Sequence, residues 1–184
     1  MTPFWTYFWP VFAAGLMVGT VTGWIASRVK IVRVRERPHE PNFVRKPLRW
    51  RLTVLAIGLI VSIAAAAAWH GPLGGADRFR TTIERQSREA LDYYEMTKVT
   101  AHLHRAPLTR RLVLVGQVDD WQSGELVRLF SQLPGVSRAT WSESDAGLPL
   151  ILEAVLAAIG GFLGGLLIAY LLELRRRYNA QWTW

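Results

Sequence analysis

Apolar residues fall along this chain in three long blocks, with two shorter rhythms between the second and third. The blocks cover about residues 4–27, 52–70 and 148–172. Each reaches the roughly 17–25 residues a helix needs to cross a hydrocarbon layer, so each predicts a transmembrane helix. Between residues 75 and 146 the period changes. DRFRTTIERQSREALDYY places Phe79, Ile83, Ala90, Leu91 and Tyr94 on one helical face. TKVTAHLHR then alternates, with Val99, Ala101 and Leu103 on one side and Lys98, Thr100, His102 and His104 on the other. APLT is a turn in which Pro107 has no ladder donor to offer. RRLVLVGQV reads as a second strand. DDWQSGELVRLFSQL reads as a helix opened by a capping Asp, with Leu126, Leu129, Phe130 and Leu133 on one side. Pro134 and Gly135 stop it, and VSRATW is a third short strand. The predicted class is an α+β membrane protein: three transmembrane helices plus a small α-β-β-α-β extracytoplasmic domain.

Charge orients the spans. The net charge of +8 is not spread evenly. Residues 28–51 hold nine Lys/Arg against Glu36 and Glu40, a balance of +7. Residues 77–145 hold ten of each sign and balance to zero. Lys and Arg near span ends stay on the cytoplasmic side. The basic loop 28–51 and the basic, aromatic tail 173–184 are therefore expected in the cytoplasm, with the N-terminus and residues 75–146 outside. No basic residue precedes the first block, so it reads as a retained anchor and not as a cleaved signal. The domain's neutral balance argues against nucleic acid as a partner. There is no Cys, hence no thiolate chemistry.

Several residue patterns suggest contacts. Gly15, Gly19 and Gly23 recur every four residues in GLMVGTVTG. Gly160, Gly161, Gly164 and Gly165 do so in GGFLGG. Small residues at this spacing let helix backbones approach closely, either among the three spans or against another membrane subunit. Arg33, Arg35, Arg45, Lys46 and Arg49 are candidates for anionic lipid head groups, which such clusters attract at ~1 kcal/mol per charge; the other reading is topogenic only. Glu153 lies one turn inside the third block, where the helix dipole favours an anion. A pair with His70 at the same edge is the alternative. GPLGGAD, residues 71–77, reads as a hinge.

In the second strand Val113 and Val115 share a sheet face with Thr100, His102 and His104. An apolar sheet centre of this kind suggests contact with lipid or a partner protein. The other reading is a central strand shielded by long side chains such as Arg110 and Lys98. His102 and His104 share that face as two metal ligands might, but no third ligand is identifiable, so no metal is expected. There is no phosphate loop or nucleophile elbow, and neither catalysis nor a cofactor is expected.

The run LVLVGQVDD…LVRLFSQLPGVSRATW resembles the BON domain, a small α-β-β-α-β module of bacterial envelope proteins. Gly116, Val118, Gly135 and Val136 occupy that family's strand-ending Gly-x-Val and its Gly-Val opening of the last strand. RAPLTRR replaces the family's usual glycine turn, and Ala139, Thr140 and Trp141 depart from its last-strand pattern. The resemblance spans about residues 77–145. It implies a periplasmic module that attaches to phospholipid or other envelope surfaces without catalysis, held in the bacterial inner membrane. The alternative expectation is an accessory subunit of a larger membrane complex, packed through the glycine faces.

Overall fold

The computed structural model describes residues 2–28, 30–34, 37–143 and 147–182. Its elements are α1 (Pro3–Ser27), β1 (Lys30–Val34), β2 (Arg37–Val44), α2 (Leu48–His70), α3 (Gly75–Tyr93), β3 (Val99–Arg105), β4 (Leu108–Gly116), α4 (Asp120–Phe130), β5 (Arg138–Thr140) and α5 (Leu150–Trp182). Three of these helices, α1, α2 and α5, are long and apolar enough to cross a membrane. The chain divides into two compact units, residues 1–10 with 67–154 and residues 11–66 with 155–184.

The first unit is built on a three-stranded sheet of order β3-β4-β5. β3 and β4 are antiparallel, with Leu103 opposite Leu112 and Ala101 opposite Leu114. β5 lies parallel to β4, with Ala139 opposite Leu112. Side chains alternate across a pleated sheet, so Val99, Leu103, Leu112, Leu114 and Ala139 fall on one face, and all are buried. α3 adds Phe79, Ile83 and Leu91 to this core, and α4 adds Leu126 and Phe130. Tyr94, expected on the buried face of α3, follows that helix's last turn and is exposed. Gln122 accepts a hydrogen bond from the Asp119 backbone N–H at 3.5 Å, closing the start of α4. Gly135 has φ of +105°, and a Cβ there would meet Ile83 Cδ1 at 2.9 Å. Glycine is therefore required both by the backbone and by the core beneath it.

The second unit holds the packing of α1 against α5. A Cβ on Gly15 would strike the Ala158 carbonyl, and one on Gly19 the Phe162 carbonyl. One on Gly161 would strike the Phe12 carbonyl, and one on Gly165 the Leu16 carbonyl. Gly23 faces Ala169 and Leu166. α2 joins through Gly58, where a Cβ would lie 2.5 Å from Thr22 Cγ2. Gly164 has 3.3 Å to Leu16 Cδ1, and Gly160 has nothing within 4 Å.

Three boundaries differ from expectation. The basic segment is not a plain loop: β1 and β2 form an antiparallel hairpin, with Arg33 opposite Pro41 and a register shift beside Val34. Pro38 and Pro41 disfavour a strand interior, but in a two-stranded ribbon each strand has a free edge where a missing N–H costs nothing. α2 begins at Leu48 and not at 52, just after Pro47, whose carbonyl accepts the Arg51 N–H at 3.2 Å. α5 runs through the expected tail to Trp182. There Glu173 pairs with Arg176 and Arg177 at helical spacing and supports the last turns.

Candidate functional site

A concavity of the first unit follows from β3 being an edge strand. Its amide groups alternate between β4 and the open side. The Leu103 N–H points outward, because Glu84 Oε1 accepts it at 3.3 Å. By the same alternation the N–H and C=O of Ala101 also face outward. Among the described residues neither has a hydrogen-bond partner outside the sheet. The Val99 N–H is satisfied by the Met96 carbonyl at 3.2 Å, so the open stretch begins just after it.

A groove of about 670 Å³ lies along this edge. Glu84, Arg85 and Arg88 of α3 form one wall, and Thr100, His102 and His104 form the other. Ala101, Arg105, Ala106, Val113 and Glu143 complete its lining. Glu84 also lies 3.8 Å from Arg105, Arg85 lies 3.8 Å from Glu89, and His102 Nε2 lies 3.6 Å from Glu143 Oε1. Arg88 is exposed and makes no ion pair among the described residues. The groove thus offers the Ala101 N–H and carbonyl on the strand edge and guanidinium groups along one side.

Val113 and Val115, expected together on an open apolar face, have different environments. Val113 sits between His102 and Thr140 in the register and is 1% exposed, whereas Val115 is 48% exposed. Val113 therefore forms a floor, and the apolar patch is smaller than its sequence suggests. Arg110 does not shield it, because its guanidinium reaches Glu153 at 2.6 Å. His102 and His104 both line the groove, but the Pro107 carbonyl accepts from His104 Nδ1 at 2.9 Å. No group of three His, Cys, Asp or Glu able to hold a metal occurs among the described residues.

The alternative pairing of Glu153 with His70 does not form, and two separate contacts stand in its place. Glu153 meets Arg110, and its side chain and that of Arg110 are only 19% and 21% exposed. The Arg110 guanidinium also lies 5.3 Å from the Phe4 ring. His70 Nδ1 instead lies 2.7 Å from the Tyr7 hydroxyl. The physical reason is supply. β4 brings a full cation to the start of α5, which neutralises Glu153 better than an imidazole can. The segment 71–77 is not a free hinge, since a Cβ on Gly75 would meet the Trp69 indole nitrogen at 2.6 Å. That indole donates to the Tyr7 carbonyl at 3.1 Å.

Of the candidate lipid contacts, Arg45 and Lys46 line a small cavity of the second unit, while Arg49 is exposed on the first turn of α2. Arg35 lies outside the described residues, as does the side chain of Arg33. Sequence reasoning missed Glu84, Arg85 and Arg88 as groove residues. Arg88 follows Arg85 by three residues and Glu84 by four, a spacing that marks a polar helix face, but nothing local says that this face borders a strand edge. A search of protein-family models found no match for the chain, and neither curated proteins nor solved structures gave one.

Proposed function

We propose that this protein is a non-catalytic, membrane-anchored attachment module whose first unit takes up an extended segment of a partner protein along β3. The open edge of β3, with the Ala101 amide and carbonyl facing a groove flanked by arginines, is the observation that carries this reading. Strand addition to a free edge supplies main-chain hydrogen bonds for affinity and side-chain pockets for specificity. The occupant that fits is an acidic extended peptide, because Arg88 lacks a carboxylate partner among the described residues and Arg85 is exposed beside it. The closure of Val113 favours a protein strand over a lipid surface, since little flat apolar area remains on that face.

In this account the chain is a three-span protein of the bacterial inner membrane. Its N-terminus and residues 75–146 are periplasmic; segment 28–51 and the C-terminus are cytoplasmic. The charge balance of +7 in residues 28–51 supports that orientation. The element order α3-β3-β4-α4-β5 supports the resemblance to the BON domain and an envelope role. The reading as an accessory subunit held through glycine faces has less support. Gly15, Gly19, Gly161 and Gly165 are occupied by contacts between α1 and α5, and Gly160 is the position left open.

The test is Ala101→Pro in the full-length protein. Proline removes the outward N–H but no donor of the β3–β4 ladder, so the sheet is expected to survive. Co-purification of the partner from native membranes should be lost while the thermal transition stays within a few degrees. Retention of the partner by a folded Ala101→Pro protein would exclude strand addition.

A further inference from the structure

The second unit carries a different feature. Five cationic side chains, Arg28, Arg45, Lys46, Arg51 and Arg177, line one cavity of about 90 Å³ together with Ser27 and Tyr170. No carboxylate is among its described lining residues. We propose that this cavity binds the phosphate group of an anionic ligand.

Charge, unmet hydrogen bonding and place in the fold support the site. Five like charges brought to one small space repel one another unless a counter-anion enters. Glu173 is buried beside them at 2% exposure and offsets part of the charge, through Arg177 Nε at 3.4 Å and Arg176 Nη1 at 3.2 Å. That carboxylate carries a single negative charge against the five cations that line the cavity. The Arg51 Nε–H and the Ser27 hydroxyl are buried in the lining with no hydrogen-bond partner among the described residues. An oxyanion would supply the acceptor that each lacks. The cavity also lies by the first turn of α2, which begins at Leu48, and a helix N-terminus adds favourable potential for an anion.

The basic residues are held in place and are not merely gathered by sequence. Arg177 Nη2 donates to the Ser27 carbonyl at 3.3 Å and so ties α5 to the last turn of α1. Arg28 stacks over the Trp24 ring at 4.6 Å, and Lys46 over the Trp50 ring at 3.6 Å. Trp24, Trp50 and Tyr170 are exposed beside the cavity. Exposed amphipathic aromatics of this kind settle at a bilayer boundary, where phosphate head groups are the abundant anions. The ligand chemistry is a phosphate ester or inorganic phosphate, and the two sources are separated by competition.

The experiment is native mass spectrometry of the full-length protein from a neutral detergent, titrated with phosphatidylglycerol and, separately, with uncharged diacylglycerol. One tight phosphatidylglycerol adduct is expected, and none with diacylglycerol. Arg45→Gln should weaken the adduct about fivefold, and Arg45→Gln with Arg51→Gln more than twentyfold. Arg49→Gln, with the same charge loss at a position outside the cavity, should have little effect. Arg45 is exposed, so its loss leaves the fold intact, and the thermal transition checks the double variant. Displacement of the lipid by millimolar inorganic phosphate would identify a free-phosphate site, and resistance to displacement a lipid headgroup site. Binding by the double variant equal to wild type, or equal weakening by Arg49→Gln, would overturn the proposal.

Discussion

The contact between α1 and α5 and the core beneath the β3-β4-β5 sheet reach close packing by opposite means. In the first, Gly15, Gly19, Gly161 and Gly165 remove side chains so that backbone meets backbone. In the second, Leu103, Leu112, Leu114, Ile83 and Phe130 fill the space with large apolar groups. The difference matches the composition of each region. A sheet closed against water gains by burying area, at ~25 cal/mol per Å². Helices with the composition of a membrane span gain little that way and depend on the shape fit of their backbones. The helix contact should therefore fail when atoms are added, and the core when atoms are removed.

Neighbouring glycines give the strongest test of that contrast. Gly161→Leu would drive a side chain into the Phe12 carbonyl and should abolish the α1–α5 contact, seen as loss of folded protein from the membrane fraction. Gly160→Leu, one residue away with open space around it, should change stability by less than about 0.5 kcal/mol. Equal behaviour of the two would break the account of that helix pair. In the sheet, Leu112→Ala should cost about 3 kcal/mol through the cavity it leaves, measured by chemical denaturation. Arg110→Gln comes next. Loss of the cation beside the largely covered Glu153 should cost about 1–2 kcal/mol, and Arg110→Gln with Glu153→Gln should recover part of it. The smallest effect on stability belongs to Arg88→Gln, within about 0.5 kcal/mol, although it should weaken partner capture several-fold.

Local periodicity foretold the elements but not their neighbours. Hydropathy located the three long helices because a span needs only a run of apolar residues. Alternation in TKVTAHLHR and RRLVLVGQV located β3 and β4 because each residue's face depends on parity alone. The β1–β2 hairpin was hidden by Pro38 and Pro41, which are tolerable only because that sheet has two strands. The extension of α5 was hidden by the charge of Arg175, Arg176 and Arg177, which reads as a tail until Glu173 is seen to pair with it. The groove was the least legible feature. Glu84 and Leu103 lie 19 residues apart, and their hydrogen bond depends on how α3 crosses the sheet. The substitution of Arg110 for His70 as the partner of Glu153 has the same origin, since no short-range pattern links residue 110 to residue 153.

Photo-crosslinking in native membranes tests the attachment role most directly. A photoreactive residue placed at Thr100, beside the open edge of β3, should capture one partner species in high yield. The same group at Tyr93, exposed at the end of α3, should capture little. Capture of the same species at both positions, or of none at Thr100 in a folded protein, would contradict the assignment of β3 as the attachment edge.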